Sequence, residues 1–111
     1  MNREAIRERY LQDGFPKRLG ALAANLGRIS SFSQRGRNEA LLRSLLEESE
    51  FFVEWTTLEA PLPLQENLVG LQVKLAIWLR QLEQGQPNFE TMGHEAQSWS
   101  EKLLGEISWQ D

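Results

Sequence analysis

Residues 63–85 read PLQENLVGLQVKLAIWLRQLEQG, and this stretch decides the fold. Leu64, Leu68, Leu71, Leu75, Trp78 and Leu82 recur at alternating spacings of four and three, the period of a helix face that meets partners. At about 100° per residue these six, with Leu79, fall in a stripe roughly 100° wide. Val69, Val73, Ala76 and Ile77 lie nearly opposite that stripe. A helix apolar on two sides is expected to be central, with neighbours on both.

Immediately upstream, Ala60-Pro61-Leu62-Pro63 ends whatever helix precedes it, because each proline disfavours helical backbone in the residue before it. That preceding helix spans 39–59. Leu41, Leu42, Leu45, Leu46, Phe52 and Val53 share one broad face with Ser49 and Thr56, and Phe51, Trp55 and Leu58 form a second strip at i, i+4 and i+7. The connection is short, so helix 63–85 is expected to return antiparallel to it. Downstream, Gly85-Gln86-Pro87-Asn88 makes a turn with Asn88 as a cap. A helix over 88–108 follows, with Phe89, Met92, Ala96, Trp99, Leu103 and Ile107 on one side and Leu104 widening the stripe. Trp109 falls away from it.

Farther upstream, Leu19, Leu22, Leu26 and Ile29 step three, four, three along a helix over 16–33. Gly20, Ala24, Gly27 and Ser31 make a face of small residues beside them, which lets another backbone approach closely at the cost of helix propensity. Ser30 to Asn38, rich in serine and arginine, reads as a polar loop, with Asn38 capping the helix after it. Residues 2–12 predict a short leading helix in which Ile6 and Tyr10 touch at i, i+4. Asp13-Gly14 turns the chain, and Phe15-Pro16 opens the next helix.

These elements predict an all-α, single-domain chain over 1–111. The arrangement expected is an antiparallel up-down-up-down four-helix bundle of 16–33, 39–59, 63–85 and 88–108, preceded by the helix 2–12, since that buries four such stripes together. With 41% hydrophobic and 25% charged residues the chain is too apolar for disorder. It has no cysteine, which excludes disulfides and thiolate metal sites. No stretch approaches the roughly 20 uncharged residues of a membrane span, and the first residues carry charges where a signal peptide has an apolar run. A soluble, cytoplasmic protein is expected, with the bacterial cytosol as the default source.

The net charge of −4 conceals an asymmetry. Residues 1–43 hold nine Lys/Arg against four acids, and residues 44–111 hold three against twelve, so +5 faces −9. The basic half is expected to pack beside the acidic half. Sharper alternatives are head-to-tail contacts between molecules, or a basic edge that grips an anion, nucleic acid or an acidic partner through Arg28, Arg35, Arg37 and Arg43.

No motif carries catalysis. A di-iron centre in a helical bundle needs Glu-x-x-His on two helices, whereas the only histidine, His94, follows Glu90 by four residues and lies off its helix's apolar stripe. Triads lack a partner for His94, and no phosphate loop or nucleotide fingerprint occurs. No enzyme activity, metal or cofactor is expected. Nucleic-acid binding is not favoured by a pI of about 5.1. An apolar ligand inside the bundle, admitted beside Gly20, Gly27 and Gly70, is a further alternative.

The aromatic content is more informative. Trp78 and Trp99 lie on core stripes, but Phe51, Trp55, Leu58, Val69, Val73, Ile77 and Trp109 exceed what one four-helix bundle can bury. Tryptophan is enriched at interface hot spots. These seven are the expected protein-contact residues, covered by the leading helix and by a second subunit at once, in a homodimer formed through helix faces, or by another protein. The function expected is a small helical interaction module, a dimerising adaptor, regulator or assembly factor.

Overall fold

Capping residues and prolines set where each helix begins. The computed structural model describes residues 2–36 and 38–110, of which Gly36 and 108–110 are described by backbone alone. Helix α1 (Arg3–Gln12) starts where Asn2 Oδ1 accepts from the Ala5 amide at 3.1 Å. Helix α2 (Phe15–Ser31) has Pro16 in its first turn, where the missing N–H costs nothing. Helix α3 (Glu39–Thr57) is capped by Asn38 Oδ1 on the Leu41 amide at 3.1 Å, and α5 (Phe89–Gln110) starts where Asn88 Oδ1 accepts from the Thr91 amide at 3.0 Å. Helix α4 (Leu62–Glu83) follows Pro61, and the chain leaves it through Gly85 at φ +71°, a left-handed conformation that glycine adopts without penalty. The described residues are all-helical across these five elements, with no strand.

One connection differs from expectation. The loop predicted from Ser30 is instead a continuation of α2, closing in a π-helical turn over Phe32–Gly36. The turn has packing reasons to stay ordered. Ser33 is buried, Phe32 packs on the core, and the Gln34 side chain lies so close to Gly93 that an added methyl there would sit 2.9 Å from Gln34 Cγ.

Helix α2 packs on α5 along one flank and on α3 along the other. The small-residue face is the reason α5 comes so near. Ser100 Oγ donates to the Ala23 carbonyl at 2.8 Å, and methyls added at Gly20 and Gly27 would lie 3.7 Å from Ile107 Cδ1 and 3.9 Å from Ser100 Oγ. Ala23 rather than Ala24 completes that face, because Ala24 is exposed. Between α3 and α4 the contacts run Arg43–Glu83, Glu50–Gln72 and Leu58–Gln65, one number rising as the other falls. Between α4 and α5 they run Asn67–Lys102 and Lys74–Glu95.

The core follows the periodicity. Leu64, Leu68, Leu71, Leu75, Trp78 and Leu82 are all buried, against Leu22, Leu26, Leu46 and Met92 from the other helices. Trp99 is half-buried at the core's edge, with Lys102 Nζ 4.9 Å from its ring centre. No helix among the described residues is long and apolar enough to cross a membrane.

Candidate protein-interaction surface

The second apolar side of α4 is exposed among the described residues. Val69, Val73 and Ile77 are 57%, 55% and 43% exposed. A helix rises 1.5 Å per residue, so these three form a continuous ridge of about 12 Å. It lies opposite the stripe that enters the core, and single apolar residues on a surface are ordinary whereas an aligned row is not. The expectation that α4 is central, with neighbours on both sides, is therefore corrected: among the described residues its Leu64–Leu82 stripe is buried and the opposite side is exposed. The core needs one face of each helix, and α3 and α5 flank α4 without reaching around it.

The strip on α3 has a different environment. Phe51 and Trp55 are half-buried and stacked, with ring centres 5.5 Å apart. Helix α1 lies over them: Arg3 places its guanidinium 4.6 Å from the Phe51 ring centre, and the Tyr10 ring centre is 5.8 Å from that of Trp55. Leu58 is 88% exposed. It lines an open groove of about 360 Å³ together with Arg7 and Leu11 of α1 and Glu54, Trp55 and Glu59. The side chain of Trp109 lies outside the described residues.

A polar cluster that sequence reasoning missed fastens α1 in this position. Tyr10 is buried against Phe52, ring centres 4.1 Å apart and nearly parallel. Its hydroxyl has one proton. The Arg18 carbonyl, 3.0 Å away, can only accept, so Tyr10 donates there and Thr56 Oγ1, at 2.6 Å, donates to Tyr10. Burial pushes the Tyr10 phenol up to about 12, outweighing the lowering effects of the Thr56 hydroxyl and the Arg18 charge. The buried Arg18 guanidinium pairs with Glu59, and that hydrogen bond holds the Glu59 carboxyl below its usual value. One sign of this was present in the sequence: Lys17 and Arg18 stand in the first turn of α2, where a positive charge opposes the helix dipole. An arginine so placed calls for a specific anionic partner.

The basic candidates do not form one patch of free charge. Arg28 donates to Asn25 Oδ1 at 2.9 Å, while Asn25 Nδ2 donates to Glu48 at 3.0 Å, which links α2 to α3. Arg43 is paired with Glu83 at 3.4 Å. Arg35 is exposed on the π-helical turn, and Arg37 lies outside the described residues. The basic half thus meets the acidic half at Arg18–Glu59, Asn25–Glu48 and Arg43–Glu83. His94 is exposed, lining a shallow surface pocket of about 330 Å³ with Ser33, Gln34 and Glu90. A smaller pocket of about 210 Å³ lies under α1, lined by Ile6, Arg9, Tyr10, Ala21 and Phe52. The space beside Gly20 and Gly27 is taken by α5.

One carboxylate is poorly placed. Glu50 Oε1 is buried with no hydrogen-bond partner among the described residues, and burial, then the Glu47 and Glu83 charges, push its carboxyl above the usual range. Comparison with protein-family models, with curated proteins and with solved structures finds no match to this chain.

Proposed function

We propose that this protein is a non-enzymatic interaction module whose α4 outer face docks another protein. The reading is carried by the aligned exposure of Val69, Val73 and Ile77 on the side of α4 opposite the core. Burying such a ridge on a partner helix removes apolar surface from water at about 25 cal/mol per Å². We also read α2 to α5 as an antiparallel up-down-up-down four-helix bundle with α1 strapped across α2 and α3. The opposed numbering of the contacts between successive helices supports that arrangement. The role is that of a dimerising adaptor, regulator or assembly factor working in the cytoplasm.

Photo-crosslinking in living cells tests the reading. A photoreactive side chain replaces Val73 in one variant and the exposed Glu101 of α5 in another. Protein adducts of defined mass at position 73 and not at 101 are expected. No adduct, or the same diffuse adducts at both positions, overturns it.

A further inference from the structure

The outer face of α4 is symmetric about Val73. Val69 and Ile77 each stand four residues from it, and Glu66 and Arg80 each stand seven. At about 100° per residue all five lie within roughly 40° of the direction in which Val73 points. All five are exposed. Glu66 and Arg80 have no ion-pair partner among the described residues, unlike Lys74, which meets Glu95 at 3.3 Å, and Glu83, which meets Arg43. An acid at one end and a base at the other, with an apolar centre between them, make a face complementary to itself when turned end for end.

We propose that a second copy of this chain occupies this face, with the two α4 helices packed antiparallel across a two-fold axis beside Val73. The inference rests on the reading of α4 as a protein-docking face and names its partner. In this pairing Val73 meets Val73 of the second copy, Val69 meets Ile77, and Glu66 meets Arg80 twice over, about 10 Å to either side of the axis. Such a contact is isologous and closes on itself, so it stops at a dimer. A parallel pair would set Glu66 on Glu66 and Arg80 on Arg80, so charge selects the antiparallel one.

Two small residues support close approach. Gly70 and Ala76, each three residues from Val73, flank the centre and are exposed. Nothing among the described residues requires glycine at 70, since an added methyl would lie 4.0 Å from Trp99 Cη2, an ordinary contact. A mid-helix glycine weakens a helix, and a neighbouring backbone is a reason to keep one. A single pair of helices buries less than the roughly 800 Å² per partner of a standard interface. The dimer therefore dissociates on dilution.

Sedimentation equilibrium of the purified chain over a wide concentration range tests the proposal. A monomer–dimer equilibrium is expected, lost in Val73→Asp with the melting temperature unchanged. Glu66→Arg alone and Arg80→Glu alone each weaken the dimer about tenfold by setting like charges together. Mixed one to one, these two variants pair with each other more tightly than either pairs with itself. The combined Glu66→Arg/Arg80→Glu chain regains the native dissociation constant. A native chain monomeric at every concentration overturns self-pairing, as does a dimer indifferent to the charge exchanges. If heterologous adducts still form at position 73 in cells, the interface reading survives that failure; if none form, both fall.

Discussion

The Tyr10 hydroxyl lies 2.6 Å from Thr56 Oγ1, and this contact, 46 residues apart in sequence, fastens α1 to the body of the protein. Without it the leading helix would rest on apolar contacts alone, those of Ile6 and of the Tyr10 ring with Phe52 and Trp55. A ten-residue helix is too short to persist alone in water, so its order comes from what it packs on.

Tyr10→Phe keeps the ring stack and removes the hydroxyl's hydrogen bonds to the Arg18 carbonyl and Thr56. A loss of about 1–2 kcal/mol is expected, with faster amide exchange confined to α1. The phenol titrates near 10 in the unfolded chain and near 12 in the folded one, so the fold favours its neutral form. Its contribution is complete below pH 10 and disappears as the pH rises toward 12. The chain has one tyrosine, so tyrosinate absorbance reports this group alone. A midpoint near 10 in the folded protein would contradict the buried hydroxyl.

Leu68 and Val69 are adjacent in sequence and opposite in environment, the first fully buried and the second 57% exposed. Leu68→Ala is expected to cost about 2–5 kcal/mol in chemical denaturation of the monomer, through lost burial and a residual cavity. Val69→Ala stays within about 0.5 kcal/mol. Comparable costs at both sites would mean that Val69 is covered within its own chain.

Glycines at two positions give opposite responses. At Gly105 an added methyl meets nothing within 4 Å, so Gly105→Ala raises stability by about 0.5–1 kcal/mol through helix propensity. At Gly27 there is room for one methyl and no more before Ser100. Gly27→Leu forces α2 and α5 apart and costs about 1–3 kcal/mol, measured as the shift in denaturant midpoint.

Glu50→Gln is expected to raise the melting temperature at neutral pH. The charge is disfavoured in the fold by burial and by Glu47 and Glu83, so the native carboxylate weakens the fold wherever it is ionised. As the pH falls through the raised value the native side chain takes up its proton, and the advantage of the amide fades. A variant that melts lower at pH 7 and equally at pH 3 would reverse this assignment.

Much of the fold was legible because helical periodicity is local. The spacing of Leu64 through Leu82 identified every buried position of α4, and Asn38 and Asn88 marked helix starts by their own hydrogen-bonding chemistry. The polar composition of Ser30 to Asn38 gave no hint of the π-helical turn, because what holds it is Phe32 and Ser33 turned toward the core and Gln34 lying over Gly93. Nor did it reveal the Tyr10 cluster, whose members come from three helices. Of the candidate surface, the residues were visible as an excess of apolar positions, but not which of them α1 covers.

By itself the sequence determined where the helices begin, where those other than α2 end, and which positions on each face the same way, since caps, prolines and a 3.6-residue period act between near neighbours. Tertiary structure decided which apolar faces are spent inside the chain. It laid α1 over Phe51 and Trp55, set α5 against the small face of α2, and left Val69, Val73 and Ile77 outward. That choice depends on how the helices share one core. A helix facing that core can bury one stripe in it, and whatever lies opposite stays in water until another surface arrives.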